Sequence, residues 1–243
     1  GKLSVPITIR SIVGRGWGQA AQHSQNLHAI FAHIPGLKVV LPSDAYDAKG
    51  LMLTSLRSHS PVIFIEHRWL HETTGEVPES FYLVPFGKAA IKREGKDLTI
   101  VAISHMVVES MKAARELEKE GISAEVCDPR TLSPLDSETI FRSVAKTGRL
   151  LVVDTGWKTF GASAELVAQG YEKLGQQLKA PIRRIALPDA PTPCSSSLEQ
   201  KYYPSTESIV QAAKSLCLKV GTEGKSETKL KSAAAQKEFA GPF

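Results

Sequence analysis

Gly14-Arg15-Gly16-Trp17-Gly18-Gln19-Ala20-Ala21-Gln22-His23-Ser24-Gln25 is the stretch whose reading decides this chain. Glycines turn tightly and let a backbone approach a ligand closely. The glycine loop leads into a predicted helix that His23 opens, and a helix start offers unpaired N–H groups to an anion. His23 adds a side chain whose charge changes near neutral pH. Loop, helix start and titratable group together read as the edge of an active site.

The segments around this loop alternate between apolar and amphipathic runs. Val5–Ile9, Leu37–Leu41, Val62–Ile65, Leu98–Ile103, Ile122–Cys127, Leu150–Val153 and Ile182–Leu187 are short, apolar and largely β-branched. Continuous apolar strands suit a parallel sheet covered on both faces. Between them lie helices. In 106–119, Val107, Met111, Ala114 and Leu117 share one face. Another helix begins at Ser43-Asp44 with Ser43 as its N-cap, and a last one opens at Pro204-Ser205-Thr206-Glu207. Strand and helix in alternation predict an α/β fold with a mostly parallel sheet. The turn-rich stretch carrying Pro85-Phe86-Gly87 and Arg93-Glu94-Gly95 divides the chain. Residues 1–80 read as one domain, 81–96 as a linker with a short strand, 97–220 as a second domain and 221–243 as a flexible tail.

Composition excludes several classes. The net charge of +5 over 243 residues is spread along the chain, without the basic stripe and stacking aromatics that nucleic acid binding needs. No window is apolar enough for a membrane span. The 3 cysteines are odd in number and far apart, which fits a reducing compartment and no CxxC zinc site. Gly1-Lys2-Leu3-Ser4-Val5-Pro6 has no signal-peptide pattern and no initiator methionine, which reads as processing or truncation.

Other constellations have more than one reading. Gly16, Gly18 and Ala21 match G-x-G-x-x-A, with Asp44 further on, the dinucleotide fingerprint. Its geometry is wrong here, because several residues separate the strand from the first glycine and Pro42-Ser43 precede Asp44. His23, His28 and His33 are spaced by five, a rotation that keeps them off a common helix face. His67, His71 and Glu72 read as a polar loop. Asp154-Thr155 come after a strand and either face a crevice or cap the next helix. Asp136 is placed to start a helix, and Arg130 to bind an anion or carboxylate.

Several segments in register carry a resemblance. They are Ala20-Ala21-Gln22-His23-Ser24-Gln25, Pro35-Gly36-Leu37-Lys38-Val39-Val40, Asp47-Ala48-Lys49-Gly50-Leu51, Arg130-Thr131-Leu132-x-Pro134-Leu135-Asp136, Gly156-Trp157 and Pro188-Asp189-x-Pro191-x-Pro193. Over roughly residues 3–220 the chain resembles the β subunit of the thiamine diphosphate-dependent decarboxylase component of 2-oxo acid dehydrogenase complexes. That group takes in the pyruvate, branched-chain and acetoin enzymes and, more distantly, transketolase.

The resemblance implies a transketolase-like fold, with residues 1–80 as the C-terminal part of a pyrimidine-binding domain and 97–220 as a transketolase C-terminal domain. It implies an upstream half-domain carrying the glutamate that activates the cofactor. It implies thiamine diphosphate with magnesium, held jointly with an α subunit. The other implied partners are a second β subunit and a lipoyl acyltransferase core. His23 matches the family's channel histidine, implicated in acyl transfer to lipoamide, work that needs proton transfer and charge stabilisation. Arg15 and Trp17 stand where small residues are usual, so with Gln22 they are expected to shape the substrate pocket or its entrance. Ser58 and Ser60 replace an aspartate and an asparagine near a potassium site of several relatives. The bacterial cytoplasm is the expected compartment, the mitochondrial matrix the alternative. A sugar-cleaving thiamine enzyme and a non-catalytic assembly module are the competing functions.

Overall fold

The computed structural model of the chain describes residues 3–14 and 19–217. In order, the elements are β1 (Thr8–Val13), α1 (Ala20–His23), α2 (His28–Ala32), β2 (Lys38–Val40), α3 (Ala45–Leu56) and β3 (Val62–His67), then β4 (Ala90–Arg93), β5 (Leu98–Ala102), α4 (Met106–Lys119), β6 (Ala124–Asp128), β7 (Thr131–Ser133), α5 (Ser137–Thr147), β8 (Leu150–Trp157), α6 (Ala162–Leu174), β9 (Arg183–Leu187), α7 (Ser196–Tyr202) and α8 (Thr206–Cys217). The expected tail, 221–243, lies outside the described residues. Among the described residues no helix is long and apolar enough to cross a membrane.

Two sheets result. The first has the order β1-β3-β2-β7, and the second β4-β6-β5-β8-β9. β1, β3 and β2 run parallel, as do β6, β5, β8 and β9. β4 and β7 are the antiparallel members. The segment 81–96 thus ends in β4, an edge strand of the second sheet. β7 comes after β6 in the chain yet pairs with β2 of the first sheet. β1 begins later than Val5–Ile9 suggested, and as an edge strand it leaves Ile9 and Ile12 half exposed.

The core reflects this exchange. Val13, Val39, Ile63 and Ile65 of the first sheet join one buried cluster with Val101, Ile140, Val144, Val152 and Leu166 of the second layer. The other face of the second sheet buries Ile100, Val126 and Val153 against Met106, Ala113, Leu117 and Ile209. α4 has the face its periodicity predicted: Val107, Ala114 and Leu117 are buried.

A polar seam lies beside the shared core. Asp44, not Ser43, caps α3: its carboxylate accepts the Asp47 N–H at 2.8 Å. The Ser43 hydroxyl is turned instead to Asp128 of β6. Lys92 of β4 reaches Asp44 at 2.7 Å and the fully buried Asp47 at 2.6 Å. Arg130 pairs with Asp47 from the other side at 2.7 Å, so its expected carboxylate partner is an internal one. Asp136 caps α5 by accepting the Thr139 N–H at 3.1 Å.

Burial pushes the Asp128 carboxyl up to about 6, against the pull of Lys92 and the Ser43 hydroxyl. Its folded pKa exceeds the unfolded value, so the fold binds the extra proton between those two points. Stability from this group is therefore present at low pH and lost as pH rises through about 4 to 6. Urea unfolding of Asp128→Asn and the parent at pH 4 and pH 7 checks this. The parent should lose about 2 kcal/mol more than the variant across that interval. Parallel pH profiles would contradict the account.

Candidate active site

His23 closes α1 rather than opening a helix. α1 is 4 residues long, has no side-chain cap and starts from Ala20 at φ +50°. Both His23 and Gln22 are exposed. An exposed imidazole with neither nitrogen committed among the described residues can take and return a proton. Arg15 and Trp17 fall outside the described residues.

The residues just after His23 turn inward. Ser24, Asn26 and His28 are buried. The Asn26 amide donates to the Thr155 carbonyl at 2.5 Å. His28 Nε2 lies 3.1 Å from Asp154 Oδ2, with both side chains almost fully buried. Asp154 Oδ1 accepts the Gly156 N–H at 3.0 Å. Asp154 and Thr155 therefore do not cap the next helix: β8 runs on through Trp157, and Gly161 caps α6. His28 alone of the three spaced histidines makes this link.

Beneath the glycine loop lies a group of rings. His67, at the end of β3, stacks on His105 with centroids 4.9 Å apart, and Trp69 meets His105 edge-on at 5.0 Å. His67 is fully buried, so the expected polar loop around it is instead a packed aromatic floor. Its Nδ1 accepts the Trp69 N–H at 3.3 Å, which puts the proton on Nε2. Gly14 has φ +80°, and a Cβ there would sit 2.4 Å from that Nε2. Burial lowers the His67 pKa well below the usual 6.5, with His105 adding to the effect. Burial also lowers His105, to about 4. The floor is neutral at pH 7.

A cleft of about 300 Å³ opens beside it, lined by Arg10, Pro42, Asp44, Glu66, His67 and His71. It sits at the carboxyl ends of β1, β3 and β2, where parallel sheets place their sites. Its carboxylates are already engaged. Glu66 accepts two bonds from Arg10, and Asp44 holds Lys92. Among the described residues no three His, Cys, Asp or Glu side chains converge as metal ligands. At the expected cation loop, the Ser58 hydroxyl accepts from the Lys38 ammonium at 3.2 Å and donates to the Ser60 carbonyl at 3.0 Å. A larger groove of about 810 Å³ lies elsewhere, between α2 and α6.

Sequence reasoning singled out His23 and Gln22, which are exposed, and missed the His67–His105 floor. The missed signal was Glu66-His67 closing a strand opposite the glycine loop, a pairing visible only once β1 and β3 are side by side.

Comparison with known proteins gives a consistent picture. The model of the transketolase C-terminal domain matches residues 87–209, and that of the transketolase pyrimidine-binding domain matches 1–72. The β subunit of the acetoin:2,6-dichlorophenolindophenol oxidoreductase of Bacillus subtilis is 46% identical over 210 residues, 86% of this chain and 61% of that protein. Its counterpart in Cupriavidus necator is 48% identical over 214 residues, covering 88% and 63%. The β subunit of the pyruvate dehydrogenase E1 component of Bacillus subtilis is 45% identical over 215 residues, covering 88% and 66%. The chain thus spans 61% to 66% of the length of these relatives. A solved structure of a split-gene transketolase, described as an inactive β4 tetramer, superposes with TM-score 0.69 at 25% identity, covering 88% of this chain and 67% of that one.

The aromatic floor makes two outcomes measurable. Gly14→Ala forces a left-handed backbone on a side chain that meets the His67 ring, and should cost roughly 2 to 4 kcal/mol in denaturant unfolding. A near-neutral change would mean Gly14 does not rest on that ring. His105 has a folded pKa below its unfolded one, so the unfolded chain takes up the proton first. Stability from its neutral form is present at pH 7 and is lost as pH falls from 6.5 toward 4. By pH 5 the parent should have lost about 2 kcal/mol more than His105→Gln. Equal losses would place His105 in water.

Proposed function

Because the chain belongs to the transketolase family, carrying its C-terminal domain joined to pyrimidine-binding sequence, we propose that it serves in the β subunit of a thiamine diphosphate-dependent 2-oxo acid dehydrogenase. The reaction is decarboxylation of a 2-oxo acid with transfer of the acyl group to lipoamide. The observation that supports this reading is an exposed His23, uncommitted among the described residues, at the end of α1, in a domain whose parallel strands end at a cleft lined by the neutral His67.

The residues present suit one wall of a shared site. Among the described residues no three His, Cys, Asp or Glu side chains converge as metal ligands, and both carboxylates of the cleft are paired. Those donors are assigned to the α subunit, and the cofactor's own carbanion chemistry to the cofactor. What this chain contributes is a proton donor and acceptor at His23. It also contributes a floor whose buried, uncharged rings keep the surroundings low in dielectric, where a positioned charge or dipole acts more strongly. Gln22, Arg15 and Trp17 are assigned to the entrance, where the acyl substituent is sorted.

Partners are assigned on exposed apolar surface. The edge strand β1 and the α2–α6 groove are two separate faces, suited to an α chain and to a second β chain. Phe160, 94% exposed beside the groove, and Ile30 within it are costly for a lone chain to show to water. The lipoyl acyltransferase core is the acceptor-bearing partner. No disulfide joins Cys127, Cys194 or Cys217, in keeping with a bacterial cytoplasm.

The split-gene transketolase likeness keeps a sugar-cleaving reading alive as the second choice. One experiment addresses both. In the complete enzyme with a lipoyl domain, acyl-lipoyl product should form, and its absence in favour of sugar products would select the second reading. His23→Ala should slow acyl transfer by roughly 10²- to 10⁴-fold. A near-normal rate would remove His23 from the chemistry.

A further inference from the structure

We infer that Asp154, on the second domain, is a positioning residue for His23, acting through His28. The inference rests on His23 being the acid–base group of the proposed reaction.

α1 cannot hold His23 by its own bonds. A 4-residue helix makes too few hydrogen bonds to offset the entropy of forming it, and this one lacks a side-chain cap and starts from a left-handed Ala20. Its placement must come from the segment C-terminal to it. Three and five residues beyond His23, Asn26 and His28 are tied to consecutive residues of β8. Asn26 reaches the Thr155 carbonyl at 2.5 Å, and His28 reaches Asp154 at 3.1 Å. Both ties cross from the first domain to the second.

Asp154 is itself fixed. One oxygen takes the Gly156 N–H, and the other takes His28. A Cβ on Gly156 would lie 2.9 Å from both Asp154 Oδ2 and His28 Nε2, so the pair fills a slot that only glycine leaves open.

Stability alone does not account for this pair. An apolar pair of similar volume at a buried site is often as stable or more so. His28 Nδ1, moreover, is buried with no hydrogen-bond partner among the described residues, which is a further cost. The two domains already share an apolar cluster and the Asp47–Lys92–Arg130 ion pairs. What the His28–Asp154 contact adds is direction. Two hydrogen bonds to adjacent residues of a rigid strand fix both the register and the rotation of the segment that carries His23.

A double-mutant cycle in the complete β chain assembled with its α partner tests this. Acyl transfer to a lipoyl domain is measured for Asp154→Asn, His23→Ala and the double variant. An asparagine keeps the shape but cannot accept from both His28 and Gly156. D154N should slow transfer roughly 10- to 100-fold, with the KM for the 2-oxo acid little changed. The double variant should be no slower than H23A alone, because Asp154 acts only through His23. Fold-losses that multiply in the double variant would show an independent, structural effect and overturn the inference. A slowed H23A beside a wild-type D154N would overturn it while leaving His23 catalytic. A wild-type H23A would remove the reading of His23 and this inference with it. Should D154N not fold, His28→Ala and His28→Gln decide the matter. A glutamine amide places a donor near the imidazole Nε2, so H28Q should recover transfer that H28A loses. Equal rates in the two would overturn the inference.

Discussion

The buried carboxylate of Asp47 is the point on which the arrangement of the two sheets depends. It sits on α3 of the first domain, out of contact with water, and its ion-pair partners come from the second. Lys92 reaches it from β4, and Arg130 from the turn between β6 and β7. A charge in that position is tolerable only when its partners are in place, and losing one partner strands the other. Arg130 adopts a left-handed backbone at φ +59°, and its N–H is held by Asp128 at 2.8 Å. Its carbonyl accepts the Leu41 N–H at 2.9 Å. The ion pair thereby coincides with the turn that sends β7 away from its own sheet and onto β2.

The strand exchange explains why the molecule does not behave as two beads on a string. Val39 and Ile63 belong to the same buried cluster as Val152 and Leu166, so separating the domains would expose core on both sides. Apolar burial supplies the driving force here and is indifferent to direction. The polar seam is directional and adds little net stability. It selects one docking among the many that would bury similar area. The division of labour fixes how the two sheets sit against each other, because a small slip would break the Asp47 pairs with Lys92 and Arg130.

Much of the fold was legible from sequence, and the boundary of legibility has a physical cause. α4 appeared with the same limits, 106–119, because its 3.6-residue periodicity is a local property. The parallel core strands appeared as apolar runs for the same reason. β7 did not, since three residues with no periodicity form a strand only through pairing with β2, some ninety positions earlier in the chain. Ser43 and Asp44 are equally good caps by type. The choice was made by Asp128, a residue 85 positions from Ser43 that claims its hydroxyl. The motif singled out His23, which the structure leaves exposed at the end of α1. His67 was not, because nothing in Glu66-His67-Arg68 marks one histidine for burial until Gly14 is laid against it.

Gly14 shows how a backbone contact can depend on the ring beneath it. A loop rich in glycine has high conformational entropy and does not hold one shape unaided. Here its first residue rests flat on an imidazole, and no side chain can intervene. The ring beneath is uncharged, since burial holds both His67 and His105 well below the ordinary histidine range. A charged ring would draw water into the contact with Gly14. An aliphatic side chain would keep the contact dry but would not accept the Trp69 N–H that orients the floor. A neutral histidine meets both demands, fixing its own rotation through one nitrogen and presenting a flat, dry face to the backbone above. The close contact at Gly14 thus depends on the protonation state of the rings it rests on.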